Sequence, residues 1–161
     1  MISLPMWVFI GIVVLLVLGL VGLWASGTAN RLNRLHIRTD SARLGLEGAL
    51  SARGQVIKAL CPDLAQEVNR VEGVVLRATD MGHRTDAENR ILAEIPKEIL
   101  SNPAFVEAST RVDLAARFYN DAVADTRTVR DRADVKALRL AGSAPLPEYY
   151  EALSTQLPAT E

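Results

Sequence analysis

Apolar and polar positions divide this chain abruptly. From Met6 to Ala25 the sequence reads MWVFIGIVVLLVLGLVGLWA, an unbroken apolar run, and residues 1–30 contain no Asp, Glu, Lys or Arg. At about 1.5 Å per helical residue this run covers about 30 Å, the hydrocarbon thickness of a bilayer. Trp7 and Trp24 bracket it at the depth where interfacial aromatics sit. A cleaved secretory signal needs a basic leading region and a shorter apolar stretch, and the leading MISLP supplies no basic residue. The pattern predicts an N-terminal anchor over residues 1–30, with a transmembrane helix over 6–25.

Beyond the anchor the apolar residues recur every three or four positions. Leu32, Leu35, Thr39, Ala42, Leu46, Ala49, Arg53, Val56 and Leu60 form one stripe of a helix that continues out of the membrane. Thr39 and Arg53 interrupt the stripe, so it reads as a bundle seam and not as a leucine zipper. Pro62 ends this helix and opens a second, with Leu64, Val68, Val71, Val75 and Ala78 inward and Gly82 as a C-terminal cap. Residues 83–89, HRTDAEN, supply turn chemistry, and Thr85 with Glu88 has capping-box spacing. A third helix carries Ile91 and Ile95 and is cut by Pro96, with one more turn at Ile99 and Leu100.

Ser101 or Asn102 then caps a long fourth helix, Pro103 to Lys136, whose inner face is Phe105, Ala108, Val112, Ala115, Tyr119, Ala122, Thr126 and Val129. Gly142, Pro145 and Pro147 end regular structure. Leu146, Tyr149, Tyr150 and Leu153 are placed to dock the remaining segment back on the helices. No alternating β-branched run suggests a sheet. The fold class expected is all-α: a transmembrane helix feeding an elongated, antiparallel four-helix-type bundle over residues 31–151, with a flexible tail over 152–161.

Composition adds location more than chemistry. The 161 residues carry 18 basic and 19 acidic side chains, a net charge of −1, which gives no electrostatic footprint for nucleic acid. Arg31, Arg34 and Arg38 follow the span at intervals of a helical turn. With Arg43, and against only Asp40 and Glu47 nearby, their bias predicts an outward N-terminus and a cytoplasmic bundle in the cell (inner) membrane; export of the bundle to the outer face is the alternative. The same three arginines are candidates for contact with lipid headgroups. Gly19, Gly22 and Ser26 place small residues near one face of the anchor, a candidate for pairing with a second copy.

Catalytic and metal motifs are lacking. His36 and His83 have no HExxH, CxxC or Glu-x-x-His companion, and the one cysteine, Cys61, allows no intrachain disulfide. There is no Walker-type loop, no glycine-rich dinucleotide fingerprint and no GxSxG. Carboxylates alternate with arginines at helical spacing, the pattern of solvated, ion-paired faces. No catalytic, cofactor-binding or metal-binding residue is assigned. The partners expected are the bilayer, proteins of unidentified kind and a second copy of the chain.

One short stretch stands out. In ARFYNDAVADT (115–125), Tyr119 points into the buried stripe, and Asn120 is turned about 100° to its flank. The two side chains are expected to diverge, Tyr119 for packing and Asn120 for an interhelical or backbone hydrogen bond.

Residues 29–60, with Asn30, Leu32, Leu35, Ala42, Leu46, Glu47, Leu50, Arg53, Val56 and Ile57, resemble the first region of LemA family proteins. These are small bacterial membrane-anchored helical proteins. Tyr119, Asn120 and Val123 are similar to that family's Tyr-Asn-x-x-Val signature, and LAGSAPLPEYYE resembles a C-terminal element of actinobacterial-looking members. Lys58 and Ala59 depart from the family's usual Pro-Asn, and Glu47 from its usual Asp. The resemblance implies a four-helix-type bundle on an N-terminal anchor, without an established catalytic activity. The function expected is a non-enzymatic, single-pass interaction or scaffolding module; an envelope accessory protein and an enzyme with an unrecognised site around Tyr119 and Asn120 are the other readings.

Overall fold

The computed structural model describes residues 6–137 and 145–151. The tail over 152–161, and with it Leu153, lies outside the described residues. Among the described residues all regular structure is helical, and the sole extended pairing is an isolated bridge between Arg77 and Asp80.

The apolar run and the first amphipathic stripe form a single helix, α1, Met6–Leu60, 55 residues long. Its first third is bare: Trp7, Phe9, Leu15, Leu16, Leu20 and Leu23 are exposed along the whole circumference. By length and composition that part is able to cross a membrane. From Leu32 onward the same helix packs against α5, Pro103–Asp131, which runs antiparallel to it. The register is fixed by Thr39, whose hydroxyl lies 3.0 Å from that of Thr126 and 3.3 Å from the Ala122 carbonyl oxygen. Thr39 is thus no flaw in the stripe. Its hydroxyl and that of Thr126 also bond the carbonyls of Leu35 and Ala122, four residues earlier on their own helices.

Between the two long helices the chain makes a compact excursion. A single 3-10 turn, Pro62–Leu64, leads into α2, Ala65–Glu72, which ends at Gly73. A turn region over 73–81 precedes α3, Gly82–Glu94, followed by the one-turn α4, Lys97–Leu100. Asn102 caps α5 by accepting from the Ala104 N–H, with Pro103 in the first turn, as its sequence position predicts.

Several expected boundaries move. The second helix stops at Glu72 and not near Met81, because the chain turns at Gly73 and sends Leu76 into the core. Gly82 begins a helix and does not end one, and residues 83–89 are helical. Thr85 is accordingly no cap: inside α3 its hydroxyl donates to the Met81 carbonyl, while Glu88 turns inward. The fourth helix breaks at Arg132, and a short α6, Ala133–Ala137, folds back so that Val135 meets Leu32 and Val129.

The core is three successive clusters along the α1–α5 pair. Leu32, Val129 and Val135 form the one nearest the bare part of α1. Leu46, Leu50, Leu76, Met81, Val112, Tyr119, Val123 and Tyr150 form the middle. Ile57, Val68, Val71, Ile91, Ile95 and Phe105 form the far one. The buried face of α1 widens to include Leu50 and Ile57, because α2, α3 and the 73–81 turn cover that flank. Gly54 allows α2 to lie close: a Cβ there would sit 2.7 Å from a Glu72 carboxylate oxygen and 3.1 Å from Val68 Cγ1.

Candidate functional site

The middle of α5 holds residues 145–151 as a strap, and it does so mainly through the strap's backbone. The Asn120 amide nitrogen donates to the Tyr150 carbonyl at 3.0 Å, and its oxygen accepts the Tyr150 N–H at 2.9 Å. The Tyr119 hydroxyl donates to the Glu148 carbonyl at 2.8 Å. Arg127 donates to the Pro147 carbonyl at 2.9 Å, and Arg130 to the Pro145 carbonyl at 3.0 Å. On the opposite side the Glu148 N–H donates to the Ala78 carbonyl at 2.7 Å, and the Glu148 carboxylate accepts the Met81 N–H at 3.1 Å. From Asn120 through Arg127 to Arg130, α5 meets the strap at residues 150, 147 and 145, so the two segments are antiparallel.

Tyr119 and Asn120 consequently do not part company. Their side chains leave α5 about 100° apart, yet both end on the same extended segment, because the strap crosses the angle between them. Tyr119 packs in the core and Asn120 bonds a backbone, as expected, but the expectation that they share no site is corrected: the pair forms one main-chain clamp. Two side chains add to it. The Tyr150 ring is buried in the middle core cluster, and the Arg127 guanidinium lies 5.0 Å from the centroid of the Tyr149 ring.

Beneath the strap lies a buried ionic cluster. Arg53 on α1 is only 1% exposed and donates to Glu88 on α3 at 3.0 Å. The other Glu88 oxygen accepts from Arg84 at 2.8 Å, and Arg84 also donates to the Val74 carbonyl at 2.7 Å, fastening the 73–81 turn. One carboxylate between two guanidiniums satisfies both of its oxygens, and this is how three charged groups are tolerated in a helical core. Burial, the largest influence, pushes the Tyr150 hydroxyl up to about 12; Glu88 adds to the rise and the two arginines oppose it. Burial likewise pushes Tyr119 up to about 12, against the opposing field of Arg43. The Tyr150 hydroxyl, Arg53 Nε and Ser109 Oγ are buried without a hydrogen-bond partner among the described residues.

The remaining sequence candidates are spread along the molecule. Leu46 and Val123 are in the middle core cluster with Tyr119, and Arg53 is in the ionic cluster. Leu35 is half-buried at the near cluster, and Asn30 is exposed. Arg31 and Arg34 are exposed on α1, whereas Arg38 is paired with Asp125 of α5 at 2.5 Å. Gly19, Gly22 and Ser26 lie on the bare part of α1, with open space where a Cβ of either glycine would project.

Sequence reasoning missed Glu88 and Arg84, which looked like members of a turn. The signal available was an Arg84–Glu88 step of one helical turn, readable as a pair only once that segment is known to be helical.

A cleft of about 480 Å³ opens beside the strap, bordered by Asp86 and Asn89 of α3, Arg127 of α5, and Glu148, Tyr149 and Glu151. No group of three or more His, Cys, Asp or Glu side chains suited to a metal occurs among the described residues. Chemically the site recognises an extended backbone and an inserted tyrosine. No family model, curated protein or solved structure matches the chain.

Proposed function

We propose that this protein is a non-enzymatic, single-pass membrane protein that displays a helical bundle at the membrane surface as an interaction or scaffolding module. The observation that carries this reading is the continuity of α1. One helix supplies both the bare apolar stretch and, from Leu32, the longest side of the packed bundle. A leader destined for removal has no need to share a helix with a core, whereas an anchor gains a fixed connection to what it presents. The resemblance to LemA proteins agrees with an anchored four-helix-type bundle without catalytic residues.

Arg31, Arg34 and Arg38 directly follow the span, which favours a cytoplasmic bundle with the N-terminus outside. Arg31 and Arg34 are the better candidates for headgroup contact, since Arg38 is already paired with Asp125. Exposed Leu44, Leu114 and Phe118 give the bundle apolar surface for partners.

The test is photo-crosslinking in intact cells from an unnatural residue at Leu44 or Phe118, with the protein at native expression. Discrete adducts that depend on the bundle surface are expected, and recovery of monomer alone contradicts the scaffold role. Alkaline phosphatase fused after Glu161 reports the side: an active reporter overturns the cytoplasmic placement.

A further inference from the structure

The strap is bound as a ligand would be. Five hydrogen bonds from α5 reach it, made by Tyr119, Asn120 (twice), Arg127 and Arg130, and all of them go to main-chain atoms of residues 145, 147, 148 and 150. An amide that grips both the N–H and the C=O of one residue recognises an extended peptide whatever side chain it carries. Selectivity is left to the Tyr150 pocket and to the Arg127–Tyr149 stacking contact. The groove therefore selects an extended segment that ends in Tyr-Tyr, and it does not discriminate how that segment is tethered.

We propose that the α5 groove also takes the 145–151 strap of a second copy of this chain, so that two anchored molecules join by exchanging straps. The choice of occupant rests on three observations. Every second copy carries a segment that fits all of these contacts, because the contacts in the structure are made to it. The strap joins the helices only through residues 138–144, and the eight steps from Ala137 to Pro145 reach up to roughly 27 Å, the breadth of two or three packed helices. The anchor in α1 would hold all copies in one plane with the same orientation, which favours encounter. Exchange of an identical element between protomers replaces each lost contact by the same contact, so it adds little enthalpic cost. It deepens the interaction-module reading and rests on it, while its test below needs no cellular partner.

Two full-length variants separate groove from strap. Asn120→Ala keeps an intact strap and weakens the groove; Tyr150→Ala keeps the groove and weakens the strap. Each is labelled at its single cysteine, Cys61, with donor or acceptor dye and reconstituted in phosphatidylcholine–phosphatidylglycerol vesicles. Mixed vesicles are expected to show energy transfer well above either variant alone. Their dimer fraction should exceed wild type by roughly an order of magnitude, because the wild-type tethered strap competes at roughly millimolar effective concentration. Addition of the free peptide PLPEYYE should abolish the signal. Equal transfer in mixed and single-variant vesicles, with helicity intact, overturns the proposal. Should Tyr150→Ala lose its helicity, Glu148→Pro takes its place, since it removes the N–H given to Ala78 without emptying the core. A signal carried by the anchors alone would persist when both substitutions are placed in every copy, and that result also counts against strap exchange.

Discussion

Asn120 and Tyr150, thirty positions apart, form a closed pair of hydrogen bonds, amide to carbonyl at 3.0 Å and N–H to amide oxygen at 2.9 Å. An asparagine that sequence propensity disfavours inside a helix is here the residue that returns the C-terminal segment to the bundle. Asn120→Ala removes both bonds and should lower stability by about 1–3 kcal/mol. Hydrogen exchange should quicken at the Tyr150 and Glu148 amides while the α1–α5 amides keep their protection. Uniform loss of protection would show that the strap is integral to the fold.

Tyr119 combines packing and clamping, and two substitutions separate them. Tyr119→Phe keeps the ring in the middle cluster and loses the bond to Glu148, at about 1 kcal/mol. Tyr119→Ala also opens a cavity between Leu46, Val112 and Val123 and should cost about 3–5 kcal/mol. Urea denaturation of detergent-solubilised protein measures both. Equal losses for the two substitutions would assign the whole effect to the hydroxyl.

Glu88 holds two buried guanidiniums at once. Glu88→Ala leaves Arg53 and Arg84 without their carboxylate and should cost about 3–5 kcal/mol. Adding Arg53→Met to that variant should recover part of the loss, since the deeper uncompensated charge is then gone. A double variant no more stable than Glu88→Ala alone would mean that Arg53 is not destabilised by losing its partner.

Alkaline pH should destabilise the packing of the strap and the helices together. Tyr119 and Tyr150 are both pushed up to about 12, from an ordinary value of 10.0. The folded state thus binds these protons more tightly than the unfolded chain does. Their contribution is fully present below pH 10 and is lost as pH rises from about 10 to about 12. For two buried hydroxyls the loss is on the order of 2–3 kcal/mol each. Thermal unfolding across this range should show the melting temperature falling, and a flat profile would contradict the burial of both phenols.

How far the sequence displayed this architecture depends on which forces set each part. Local signals sufficed for the apolar run, for the stop at Leu60 before Pro62, and for the Asn102–Pro103 start of α5, because each is fixed by a few neighbouring residues. The 73–89 region was misread because tertiary contacts decide it. Leu76 is drawn into the core, and Arg84 and Glu88 are drawn inward by Arg53, which is distant in sequence. Within the candidate site, Tyr119 and Asn120 were conspicuous as residues, but their shared partner was not. Recognition of a backbone leaves no side-chain pattern in the segment that is recognised.

The helix α1 passes unbroken from its bare apolar stretch into the packed part, and its weakest link is SGTAN, residues 26–30. Ser26, Gly27, Thr28 and Asn30 are poor helix formers, and among the described residues no residue of α1 before Leu32 is buried. Amide hydrogen exchange over residues 24–36, with the protein in lipid nanodiscs, tests this directly. Slow exchange throughout, continuous with the protection of Leu46 and Leu50, is the predicted result; a window of fast exchange at 26–31 would make the anchor a flexible tether and contradict the account.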